Sequence, residues 1–83
     1  ANYTKYVVNG SLEFPLFNAG SVAVKPKITV NSTFRVKVND EDFIEFQSGS
    51  KQDYYLSLKP GVNDVKVEGT GIIQFHYQKE VMG

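Results

Sequence analysis

The fold is decided by 58-LKPGVNDVKVEGTGIIQFHYQKE-80, near the end of an 83-residue chain. In 64-DVKVE-68, Val65 and Val67 alternate with Lys66 and Glu68; in 72-IIQFHYQ-78, Ile73, Phe75 and Tyr77 alternate with Gln74, His76 and Gln78. A period of two places one set on a buried face and the other in water, as in a half-buried β-strand. The glycines of 69-GTG-71 do not form a phosphate-cradling loop, because that fingerprint must open a helix and the residues that follow alternate as a strand. They read as a hairpin connection. The protein's one histidine, His76, falls on the polar side of the closing strand, with Ile73, Phe75 and Tyr77 turned inward.

Working outward, 33-TFRVKVN-39 sets Phe34, Val36 and Val38 against Arg35 and Lys37. The core stripe is therefore Phe34, Val36, Val38, Val65, Val67 and Phe75. Further strand candidates are 4-TKYVV-8, 11-SLEFPLF-17, 26-PKITVN-31, 42-DFIEF-46 and 53-DYYLSL-58. Turn-forming residues separate them: Asn9-Gly10, Asn18-Ala19-Gly20, Asn39-Asp40, Ser48-Gly49-Ser50 and Pro60-Gly61. Pro15 lacks an N–H, which places 11–17 on an edge or at a bulge. The expectation is an all-β protein, a small antiparallel β-sandwich of about seven or eight strands, galectin-like or jelly-roll-like. Residues 1–83 form one domain, and because Ala1 is not an initiator methionine the domain is expected to be cut from a longer chain.

Composition narrows the function. Lysine plus arginine equals aspartate plus glutamate at 9 each, and Arg35 is the lone arginine. Nucleic-acid binders concentrate positive charge to neutralise phosphates, so no nucleic-acid partner is expected. No run approaches the ~18 apolar residues of a membrane helix, so none is expected with a membrane either. A neutral surface permits self-association or assembly with other proteins. The absence of cysteine removes disulfides, thiolate metal sites and thiol nucleophiles together, and tilts the chain toward synthesis in the cytoplasm.

Three constellations could carry chemistry. His76 could serve as a base, but it needs an orienting partner or a nucleophile, and no G-x-S-x-G context exists. The acidic run 39-NDEDF-43 could offer oxygen ligands to calcium, yet it lacks the spacing of a calcium loop and lies where a turn is required. The carboxylate pairs Asp42/Glu45 and Glu45/Asp53 could be proposed for glycoside hydrolysis, but a chain this short has little material for a cleft. No enzyme, cofactor or metal is expected. Aromatic rings remain. Tyr54 and Tyr55, one on each side of a strand, could stack on a sugar face with His76, asparagine or glutamine as hydroxyl partners; Tyr3, Tyr6 and Tyr77 are further candidates. The alternative is that these rings fill a thin core.

Two stretches carry a resemblance: 17-FNAGSVAVKPKITV-30 and 54-YYLSLKPGVNDVKVEGTGIIQFHYQKEVM-82. The order of Asn-x-Gly turn, Lys-Pro step, Pro-Gly, Asn, alternating strand, glycine turn and Phe-x-Tyr resembles the C-terminal domain of distal tail proteins of long-tailed phages infecting Gram-positive bacteria. Gln78 stands where that family often has arginine. The resemblance implies a galectin-like sandwich that projects from a hexameric ring at the tail tip and contacts receptor-binding or other tail proteins. It implies a place in the virion tail, with the domain on its own a monomer. The loops 18–25, 39–42 and 48–53 are the expected contacts. The rival expectation is a carbohydrate-binding module for cell-wall saccharides, using Tyr54, Tyr55 and His76.

Overall fold

The computed structural model describes residues 2–82. All regular structure among them is strand: β1 (Asn2–Asn18), β2 (Lys27–Val30), β3 (Phe34–Val38), β4 (Ile44–Phe46), β5 (Gly49–Gln52) and β6 (Gly61–Tyr77). They form one antiparallel sheet in the order β4-β3-β6-β2-β5, with β1 on the other side of β6, curled until it nearly closes into a barrel.

The six strands correct the expected seven or eight, and the reason is the same in each case. Residues 4–8 and 11–17 are one strand running through Asn9-Gly10, and 64–68 and 72–78 are one strand running through Gly69-Thr70-Gly71. Neither glycine site reverses the chain. Each bends it. Strands β2 and β3 meet β6 at one unbroken offset, Lys27 opposite His76 and Val38 opposite Val65, so they too behave as one strand bent at 31–33. Strands β4 and β5 follow suit at Gln47-Ser48, two residues facing three.

A 17-residue strand extended at ~3.3 Å per residue would run about 56 Å, beyond the 40 Å longest dimension of the molecule. Tyr6 and Phe14 demonstrate the folding-over. Their rings stack with centroids 3.8 Å apart, although eight residues of straight strand would separate them by about 27 Å. Phe75 meets Phe14 edge-on at 5.6 Å and Tyr6 at 6.4 Å, so the inner surfaces of the two half-sheets pack on each other.

Gly69 and Gly71 allow the bend. Gly69 has φ 150°, and a Cβ there would lie 2.8 Å from the Phe34 ring and the Thr33 carbonyl oxygen. Gly71 has φ 146°, and its Cβ would collide with the Asn31 side chain. Polar groups knit the site: Ser32 Oγ donates to the Thr70 carbonyl at 2.6 Å, Ile72 N–H to Asn31 Oδ1 at 2.8 Å, and Gly10 N–H to Thr70 Oγ1 at 3.1 Å.

One face of the sheet is buried throughout. The stripe Phe34, Val36, Val38, Val65, Val67 and Phe75 is fully enclosed, joined by Ile28, Phe46, Leu58 and Ile73. Each such side chain is worth ~1.5–3 kcal/mol on burial. The inward setting of Ile73, Phe75 and Tyr77 holds, with His76 exposed. Strand β1 takes β6 as its neighbour and leaves its other edge open, which is where Pro15 can sit without losing a ladder bond.

Two further expectations are corrected. Residues 53–58 form a turn, not a strand: Asp53 Oδ1 accepts from Tyr55 N–H at 2.9 Å, and the chain regains pairing only at the Leu58–Val24 bridge. The side-chain carboxylate captures the backbone before a ladder can form. Conversely Ser48-Gly49-Ser50, expected as a turn, leads into β5.

Candidate functional site

Because every long strand bends near its middle, all of its ends arrive at one pole. The residues 19–26, 39–43, 53–60 and the tail 78–82 gather there, at the mouth of the curled sheet, opposite the bend.

Two asparagines build the mouth. Asn18 is fully buried; its amide donates to the Val22 and Leu58 carbonyls at 3.0 Å each, and its Oδ1 accepts from Gly20 N–H at 2.9 Å. This ties the loop after β1 to the segment before β6. Asn63, also fully buried, accepts from Lys59 N–H at 2.9 Å and from the Asn39 side chain at 3.0 Å, and donates to the Lys59 and Gly61 carbonyls. Asn39 has φ 55°, a left-handed turn conformation that asparagine tolerates. With Glu41 N–H donating to the Val38 carbonyl at 3.2 Å, the acidic run 39–42 is a turn. The tail is tied by Ser21 N–H to the Glu80 carbonyl and by Met82 N–H to Ser21 Oγ, both at 2.9 Å. Tyr77 donates its hydroxyl to the Phe17 carbonyl at 2.8 Å, joining the two half-sheets.

On this rigid pole sit exposed apolar side chains: Phe17 at 57% and its cross-strand partner Val62 at 60%, with Tyr54, Tyr55, Val81 and Met82 more open still. The remaining exposed large hydrophobic residues, Val7 and Leu12, lie on β1 near the bend. Beside Tyr55 opens a groove of about 370 Å³ lined by Glu41, Asp42, Ile44 and Asp53. Two of the expected contact loops, 18–25 and 39–42, belong to the mouth, whereas most of 48–53 is strand β5.

Tyr54 and Tyr55 do not straddle a strand. Both project from the 53–55 turn, with centroids 5.1 Å apart and planes at 89°. They therefore offer no shared flat platform, although each ring is open on its own. Lys25 Nζ lies 5.4 Å from the Tyr54 centroid. His76 stands apart from them, on the outer sheet surface in a shallow depression with Lys27, Thr29 and Gln74. Tyr6 and Tyr77 are largely core-facing, and the Tyr3 side chain lies outside the described residues. Among the described residues no group of three or more His, Cys, Asp or Glu side chains is arranged to hold a metal ion.

Sequence reasoning missed Phe17 and Val62 as surface residues. Their positions carried the signal: both are out of phase with the buried residues of their own strands, Leu16 and Asn18 in β1, Asn63 and Val65 in β6.

The fold and the mouth define an all-β module, a single bent sheet with one apolar pole. Comparison with protein-family models, curated proteins and solved structures finds no match to this chain.

Proposed function

We propose that this chain is a structural and interaction module that docks other proteins at its mouth, in the manner its sequence resemblance to phage distal tail domains implies. In this reading the doubled-over sheet is a sandwich whose layers share their strands, and it presents one pole to receptor-binding or other tail proteins. The observation that supports the reading is the exposure of Phe17, Val62, Tyr54, Tyr55, Val81 and Met82 at the pole where the buried Asn18 and Asn63 tie the strand ends to the 53–60 segment. Exposed apolar groups on a pre-ordered frame are the anchors that dominate protein interfaces, because little entropy is lost on binding. The test is co-expression with the products of neighbouring genes. A complex should form, and Phe17→Asp or Met82→Asp should abolish it while His76→Ala leaves it intact. Failure of every neighbour to bind overturns the reading.

A second reading, recognition of a cell-wall saccharide, is favoured by the groove in which the Tyr55 ring meets Glu41, Asp42 and Asp53. A ring can cover an apolar sugar face while carboxylates accept hydrogen bonds from the sugar hydroxyls. Titration with cell-wall oligosaccharides, followed by backbone amide shifts, separates the two. Saturable shifts at Tyr54, Tyr55 or His76 support the sugar; silence at millimolar sugar removes it.

A further inference from the structure

The sheet has two edges. One is formed by β4 and β5, three and four residues long and out of step at Gln47-Ser48. Short, interrupted edge strands of this kind resist pairing. The other is β1, 17 residues without a break. From Asn9 to Glu13 every residue of β1 is exposed, as are Lys5 and Val7. Leu12 points to the core side, yet is 37% exposed where its neighbour Val67 is fully buried. The core face stops there for want of a further strand.

The direction of the backbone groups follows from contacts already described. Gly10 N–H is directed at Thr70 of β6, and the Leu16 carbonyl is the one that faces the Asn63 amide of β6. Alternate residues of an antiparallel strand direct both backbone groups to opposite sides. The odd-numbered residues of β1 up to Glu13 therefore offer N–H and C=O to the open edge; beyond them Pro15 has no N–H and the Phe17 carbonyl is taken by the Tyr77 hydroxyl.

We propose that a second copy of this chain adds antiparallel to this edge, β1 against β1, about a two-fold axis at Asn9. Three observations fix the register. Lys5 and Glu13 lie four residues either side of Asn9 on the outer face, so each copy's Lys5 falls opposite the other's Glu13, twice per dimer. Neither side chain is in an ion pair within the chain among the described residues. The bend at Asn9-Gly10 then coincides with that of the incoming strand, as it does between neighbouring strands inside the sheet. Leu12 of one copy comes opposite the half-buried Tyr6 of the other, which continues the core face across the junction. Moving the axis to Gly10 would set Lys5 against Pro15 and Glu13 against Val7, losing both charge pairs. The edge thus argues for two copies where the sequence resemblance implied a monomer. A self-complementary strand pair is the isologous contact that two-fold dimers use.

Sedimentation equilibrium of the 83-residue chain tests this. The wild type should show a concentration-dependent monomer–dimer equilibrium that weakens with salt. Lys5→Glu or Glu13→Lys alone places like charges opposite each other at both junctions, and should weaken the dimer about tenfold. The double variant Lys5→Glu/Glu13→Lys restores opposite charges and should return the affinity to near the wild-type value. Thermal melting of each variant confirms that it folds, and Lys5→Glu suffices should Glu13→Lys be unstable beside Lys66 and Lys37. A wild type that stays monomeric to millimolar concentration overturns the proposal. So does a dimer indifferent to Lys5→Glu, or one that a double variant shown by its melting curve to fold fails to rescue.

Discussion

Two residues show how local chemistry sets global shape. At Gly69 both the backbone and the surroundings exclude a side chain, whereas at Gly49 φ is 130° but no heavy atom lies within 4 Å of a built Cβ. Gly49→Ala should cost about 1–3 kcal/mol of backbone strain. Gly69→Ala should cost a further ~1–3 kcal/mol, because the methyl group must displace the buried Phe34 ring. Urea denaturation of the pair measures the difference, and equal losses would show that the Phe34 contact is soft. Tyr6 is the second residue. Its phenol is held above the ordinary value of 10.0, chiefly because burial penalises the phenolate, with the nearby Tyr77 phenol adding to the effect. The unfolded chain therefore releases this proton first, and the folded state loses stability as pH rises past about 10. Below that pH the contribution is complete. Tyr6→Phe should flatten the alkaline limb of a stability–pH curve relative to the wild type, and an unchanged limb would assign the loss to other groups.

At the level of elements, β6 is paired along its whole length by β1 and on its other side at 65–68 and 73–76, while β5 is exposed at all four positions. Hydrogen exchange should follow: amides of Val65, Val67, Ile73 and Phe75 last to exchange, those of β5 among the first. Slow exchange in β5 would mean that this edge is covered in solution. The same elements show what was legible in the sequence. Alternation located β3 and both halves of β6 with the right residues inward, because a buried face imposes a period of two whatever the topology. The bends were not legible as bends. Asn-Gly and Gly-Thr-Gly are turn residues because they relax φ restrictions, and a strand that must fold over draws on the same freedom as a hairpin. Phase was a usable clue: odd-numbered residues point inward on both sides of Gly69–Gly71, and even-numbered ones on both sides of Asn9-Gly10. The 53–58 segment misled in the opposite sense, since Tyr54, Leu56 and Leu58 alternate like a strand while Asp53 turns the backbone out of one. Of the candidate site, the loops 18–25 and 39–42 were visible from their turn residues; the exposed apolar residues of the mouth were not, because Phe17, Tyr55 and Met82 come from three separate segments.

For the whole molecule, the order of pairing governs how the fold can be reached. Strand β1 pairs only with β6, from Asn2 opposite Tyr77 to Asn18 opposite Gly61, and β2 and β3 also take β6 as neighbour. The last strand in sequence is thus the centre of the sheet, and the first waits for it. Before β6 is in place, the available pairings are the small ladders β2–β5 and β3–β4, of four and three residue pairs. Isolated ladders of that size are marginal in water. A fragment ending at Pro60 should therefore show no stable sheet by circular dichroism, even though it carries five of the six strands. The full chain must close a loop of about half its length, from Asn18 to Gly61, before β1 gains its first ladder contact, and such non-local β topologies fold in milliseconds to seconds. Stopped-flow refolding should give one phase in that range, and destabilising changes in β1 should speed unfolding more than they slow folding if β1 docks last. A folded 1–60 fragment, or microsecond refolding, would place the organising contacts outside β6 and contradict the hub that the strand order defines.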